Sequence, residues 1–174
     1  MSVRTLKNST MIQLLLVAGA LWLAPGQLFA QNPHIDVAVR DSGGVAEIVF
    51  LNSACPNGQR GCVQMPHGES NWISWEFDQD TSQAGWSFDG LYFGAADKQV
   101  GNLKDCTVDA FGLSEADRAS GKASTAEIFA NGKRLRIWDE NDRECITHYT
   151  LRAVNDDTGQ TAESDPIIDN RGRR

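Results

Sequence analysis

Apolar and polar positions alternate along most of the chain after residue 30, and helical periodicity is almost absent. His34 to Arg40 places Ile35, Val37 and Val39 on one face; Gly43-Gly44 then turns into Val45 to Leu51, where Val45, Ile48, Val49 and Phe50 predict a buried strand. Asn71 to Phe77 puts Ile73, Trp75 and Phe77 on one side and Trp72 on the other. Trp86, Phe88, Leu91, Tyr92 and Phe93 form an aromatic stretch, and Asp105 to Leu113 reads as a strand with Cys106, Val108 and Ala110 on one side. The strongest local signal is Ala126 to Ala130, then Asn131-Gly132, then Lys133 to Trp138. Two β-type runs joined by Asn-Gly specify a two-residue hairpin, because both central positions need positive φ. Glu144 to Val154 is the next strand, residues 156–159 a turn, and Gln160 to Ile168 the last strand. Ser114-Glu115-Ala116-Asp117 has the form of a helix start, but Gly121 stops it within two turns, as a short helix or a loop.

About seven or eight short strands without βαβ alternation predict an all-β domain, and an antiparallel immunoglobulin-like β-sandwich is the expected form. The polar, Gly-rich stretch Ala54 to Ser70 is the longest expected loop.

Residues 1–30 are unlike the rest. They contain no Asp or Glu; Arg4 and Lys7 precede the apolar run Met11 to Leu23, and Pro25-Gly26 breaks it before Leu28-Phe29-Ala30. This is the layout of a secretory signal peptide cleaved after Ala30. It leaves residues 31–174 as a single domain, periplasmic or secreted, without a membrane-spanning run. That domain carries 14 Lys and Arg against 23 Asp and Glu, a net charge of −9. Such a balance excludes a nucleic-acid binder, which needs a basic face; Arg171, Arg173 and Arg174 read as a solvated tail.

Leu, Ile, Val and Phe number only 28 in residues 31–174, close to the composition at which a charged chain stays unfolded. The four Cys and the Trp residues are therefore read first as structure. An even number of Cys in an exported chain implies two disulfides. Cys55–Cys62 is favoured because Pro56-Asn57-Gly58 and Gly61 let a short loop turn back, which leaves Cys106 with Cys145. On the chain-entropy model the two are worth about 2.5 and about 4 kcal/mol. The Cys spacing does not suit zinc. Cys145 and His148 lack the following Met of a blue-copper site, so neither metal nor cofactor is expected.

The C-terminal quarter, at Tyr149-Thr-Leu-Arg-Ala-Val154, Asp157-Thr-Gly159 and Asp165-Pro-Ile-Ile-Asp-Asn170, resembles the closing strands of small secreted bacterial β-sandwich proteins of uncharacterised function. The resemblance implies an envelope or extracellular setting and the fold class, and it transfers no catalytic residue.

Candidate chemistry is sparse, and no catalytic residue is assigned. Gly68-Glu69-Ser70-Asn71-Trp72 has only the first half of a serine-hydrolase elbow. Glu69, Glu76, Asp78 and Asp80 offer the types for a glycosidase carboxylate pair, though so many acids make this neighbourhood common and a solvated surface is expected. Asp139-Glu140-Asn141-Asp142 breaks the EF-hand spacing at Arg143 and reads as a hydrated turn. His34, His67 and His148 are scattered. Trp75 sides with the aliphatic face of its strand, whereas Trp72 and Trp138 fall opposite it and are the candidates for an exposed sugar platform. The expectation is thus a non-catalytic binding or structural protein with an unknown protein or glycan ligand. A carbohydrate-binding module using Trp72 and Trp138, and a carbohydrate-active hydrolase using the carboxylates, are the alternatives.

Overall fold

A computed structural model describes residues 32–55, 60–65, 68–93, 111–164 and 167–171. The expected signal segment, Cys106, His67, Asp165-Pro166 and the Arg173-Arg174 tail lie outside these residues. The described elements are β1 (His34–Ser42), β2 (Val45–Phe50), β3 (Val63–Met65), β4 (Asn71–Phe77), α1 (Gln79–Gln83), β5 (Trp86–Phe93), α2 (Glu115–Ser120), β6 (Glu127–Phe129), β7 (Arg134–Asp139), β8 (Glu144–Asn155), β9 (Thr161–Ser164) and β10 (Ile167–Arg171).

The longest alternating run, β8, organises the sheet. One edge pairs antiparallel with β5, and the other with β9 and then β10, which keep one register: Leu151 faces Ser164 and His148 faces Ile167. Next, β2 and β3 run parallel to β9 and β10, β1 pairs antiparallel with β2, β4 runs parallel to β1, and β7 and β6 follow antiparallel. Past β6 the sheet nearly closes into a barrel, because Phe88 N–H donates to Gly132 O at 2.8 Å and Ala123 N–H to Leu91 O at 2.8 Å. The protein is mostly β, as expected, but the sheet is mixed. Three parallel pairings, β1–β4, β2–β9 and β3–β10, correct the all-antiparallel sandwich. The physical reason is that β4 pairs with β1 across an intervening excursion through β2 and β3, not with its chain neighbour.

Inward positions of each strand fill the interior. Ile35, Val37, Ile73, Trp75, Leu135, Ile137, Tyr149 and Leu151 are all fully buried. Each aliphatic side chain so buried contributes roughly 1.5–3 kcal/mol. Phe77 stacks on Phe88 at 4.0 Å, filling space that a core short of aliphatics leaves. Val45, expected in the core, is 60% exposed because it opens β2 beside the Gly43-Gly44 turn.

Local signals fared well. The hairpin forms around Asn131-Gly132, with Lys133 N–H donating to Ala130 O at 3.1 Å, but the connection is four residues and not two: pairing stops at Phe129 and Arg134, and Ala130 shares the positive φ of Asn131 and Gly132. Ser114 caps α2 in a reciprocal box with Asp117, and Gly121 ends the helix at φ 72°. Within the expected 54–70 loop lies β3, too short between Gly61 and Pro66 to show a period. Of the expected 105–113 strand, 105–110 fall outside the described residues, and Phe111-Gly112 form a turn. Cys55 is bonded to Cys62. Cys145 is also disulfide-bonded and buried; Cys106, the partner expected for it, is outside the described residues.

Candidate functional site

Alternation along β4 sends Ile73, Trp75 and Phe77 into the core and leaves Trp72, Ser74 and Glu76 on the outer face. The flanking strands arrange outward side chains in rows. Trp72 stands opposite Trp138. One step along, His34 of β1, Ser74 of β4, Arg136 of β7 and Glu127 of β6 share a row. The next contains Asp36, Glu76, Arg134 and Phe129.

The aromatic row is exposed, with Trp138 at 37% and Trp72 half-buried. Their centroids are 5.5 Å apart at an interplanar angle of 71°, edge to face. That is the arrangement ring quadrupoles favour, and it replaces the single flat platform expected from the sequence. The Arg136 guanidinium lies 4.1 Å over the Trp72 ring and 5.3 Å from that of Phe129, while Glu127 accepts from its Nε at 2.7 Å. Trp138 Nε1 donates to Glu140 at 3.0 Å. With Phe129 also exposed, the outer side of β4, β7 and β6 is an aromatic surface with a stacked arginine. Trp75 and Trp86, by contrast, are buried.

The polar rows form a connected network. His34 Nδ1 is 3.1 Å from Ser74 Oγ, and His34 Nε2 is 3.2 Å from Asp36 Oδ1 and 3.8 Å from Glu76 Oε2. Asn52 holds Asp36 twice: its Nδ2 donates to Oδ2 and its Oδ1 accepts the Asp36 N–H, both at 2.9 Å. Arg134 donates to Glu76 at 2.6 Å. Sequence reading missed His34 and Ser74 because the parallel pairing of β1 with β4 brings together residues forty positions apart. Only their outward parity was visible.

The four candidate carboxylates are not gathered into a catalytic pair. Glu76 is engaged by Arg134 on the outer face. Asp78 is the N-cap of α1, accepting from Thr81 N–H, and it pairs with Arg40 at 3.4 Å. Burial opposes its ionisation, but the Thr81 hydrogen bonds and the Arg40 charge outweigh that and hold its carboxyl below the usual range. This is the reverse of what a general acid requires. Asp80 sits in the first turn of α1, and Glu69 is exposed in a loop. The expected hydrated turn at 139–142 is corrected as well: Asp139 and Asn141 are fully buried. Asn141 adopts φ 45°, donates its backbone N–H to Asp139 at 2.8 Å, and ties the loop at Glu69 O through Nδ2 at 3.1 Å.

Among the described residues, no three His, Cys, Asp or Glu side chains stand together to hold a metal ion, and no helix is long and apolar enough to cross a membrane. No protein-family model and no curated protein matches this chain.

Proposed function

We propose that this is an exported binding protein whose contact surface is the outer face of β4, β7 and β6, and that its ligand is a protein. The observation that carries the reading is the exposed cross-strand Trp72–Trp138 pair with Arg136 stacked on it. Trp and Arg dominate the energetics of protein interfaces, and Phe129 extends the apolar area on the same face. Export rests on the charge and apolar layout of residues 1–30 and agrees with the disulfides. The tilt between the indoles and the guanidinium over Trp72 weigh against a sugar platform. The engagement of Glu76 and Asp78 by Arg134 and Arg40 weighs against a glycosidase.

A photo-cross-linking amino acid placed at position 138 tests this in the native host. The expected result is one discrete protein adduct, lost when Trp72 or Arg136 is changed to Ala, with none from a probe at Thr158. Equal adduct yields from 138 and 158, or none from either, would reject the surface. A glycan that blue-shifts Trp emission in the wild type but not in Trp138→Ala would move the reading to carbohydrate binding. N-terminal sequencing of the exported chain is expected to begin at Gln31.

A further inference from the structure

We propose that Ser74 is an acyl-accepting nucleophile with His34 as its general base and Asp36 as the residue that positions the base, acting on small carboxylic esters. The inference goes beyond the binding reading and does not rest on it.

Three observations meet at this row. First, both carboxylates face one ring nitrogen: His34 Nε2 is 3.2 Å from Asp36 Oδ1 and 3.8 Å from Glu76 Oε2, so in the neutral ring the proton sits on Nε2 and the Nδ1 lone pair faces Ser74 Oγ at 3.1 Å. The Ser74 hydroxyl has a second acceptor in Pro33 O, but at the longer distance of 3.3 Å. Second, Asp36 is itself fixed by two hydrogen bonds to Asn52, so the orienting carboxylate is held in place. This is the nucleophile, base and orienter sequence of acyl-transfer sites, which recurs on unrelated folds and is recognised by geometry. Third, the register puts Arg136 on the flank of Ser74 opposite His34, one strand spacing away. The guanidinium itself lies 4.1 Å over the Trp72 ring and is held by Glu127 through Nε and Nη2. The Ser74 N–H donates to Pro33 O at 3.0 Å. Neither the Arg136 guanidinium nor the Ser74 N–H is thus a fixed oxyanion donor at this hydroxyl. Because one lost oxyanion donor costs roughly 100- to 1000-fold in turnover, esters with good leaving groups are the substrates this site suits.

In the acylation step Ser74 Oγ bonds to the ester carbonyl carbon, the carbon–oxygen bond to the alcohol breaks, and the Oγ proton passes through His34 Nδ1 to the departing alkoxide. Water then attacks the acyl-serine, giving its proton to His34 and restoring the Ser74 hydroxyl as the acid leaves.

The test uses the full exported chain with its disulfides formed and an alkyl fluorophosphonate, which bonds to an activated serine as fluoride departs and the proton goes to the base. Peptide mapping is expected to find the label on Ser74 in native protein and not after unfolding in urea. His34→Gln, which keeps a hydrogen-bonding side chain but removes the base, is expected to slow labelling at least tenfold with unchanged near-UV circular dichroism. Asp36→Asn, which favours the wrong tautomer, is expected to slow it too, and Ser74→Ala to remove both the label and hydrolysis of p-nitrophenyl acetate. No label on Ser74 in native protein, or labelling that His34→Gln or urea leaves unchanged, would overturn the proposal.

Discussion

The indole N–H of Trp75 donates to the hydroxyl of Tyr149 at 3.0 Å, inside the core and between residues 74 positions apart. The same hydroxyl donates to Gly61 O at 2.8 Å. Burial pushes the Tyr149 phenol far above its ordinary range, with the Trp75 hydrogen bond offsetting only part of this, so the proton stays available to Gly61. One polar chain thereby joins β4, β8 and the loop closed by Cys55–Cys62.

Tyr149→Phe strands both the Trp75 donor and the Gly61 carbonyl in the interior. Each buried polar group left unpaired costs about 1–3 kcal/mol, so a loss of about 2–4 kcal/mol is expected. Urea unfolding checks it: the midpoint falls while the slope stays constant. A loss below about 0.5 kcal/mol would mean that solvent reaches the pair.

Gly61→Ala and Gly159→Ala separate a steric from a conformational penalty. Both residues have positive φ, 72° and 71°, but a Cβ at Gly61 would lie 2.6 Å from the Phe50 ring, whereas at Gly159 nothing lies within 4 Å. The left-handed conformation costs roughly 1–2 kcal/mol at either site. Overpacking against Phe50 adds about 1–3 kcal/mol at Gly61 alone. Equal destabilisation of the two variants would refute the clash.

Asp117 accepts from Ser114 Oγ and N–H at 2.7 and 2.8 Å and from Ser124 Oγ and N–H at 2.9 and 3.0 Å. Those bonds, Ser114's foremost, hold its pKa down from 3.8 to about 2. A depressed folded pKa means that this contribution to stability is fully present above the unfolded value of 3.8 and is lost as pH falls through about 2. Asp78, also lowered, acts in the same direction. Thermal unfolding of wild type and Asp117→Asn between pH 2 and 6 is the measurement. The variant is expected to lose less stability across the acid limb, and parallel curves would contradict the assignment.

A double-mutant cycle on Trp72 and Trp138 should return a coupling of about 0.5–1.5 kcal/mol, the range for edge-to-face rings beyond their buried area. Arg136→Ala is expected to uncover Trp72 and raise acrylamide quenching, with a stability loss of up to about 1 kcal/mol. Additive single mutants would show that the rings do not interact in solution.

Several elements were readable from short stretches of chain. Asn131-Gly132, Ser114 with Asp117 and Gly121, and Cys55 with Cys62 are each within eight residues, and each rests on backbone preferences or loop closure that neighbours along the chain supply. The two faces of β4 were readable for the same reason. Helix α1 escaped because Asp78 and Asp80, weighed as catalytic acids, act as its cap and first turn. The buried Asn141 escaped because nothing in an acidic run shows which side chain will turn inward to bond Glu69 O.

Residue order alone is enough to make the chain mostly β, to place its hairpin, short helix and short disulfide, and to assign which side of β4 and β7 meets solvent. Each of these is a matter of spacing and local conformation. The parallel run of β4 beside β1, the meeting of Ser74 with His34 and the edge-to-face contact of the two indoles beneath Arg136 arise from packing between distant segments. Strand order and register between distant segments follow from how both faces pack at once, and a single strand's alternation is compatible with many partners.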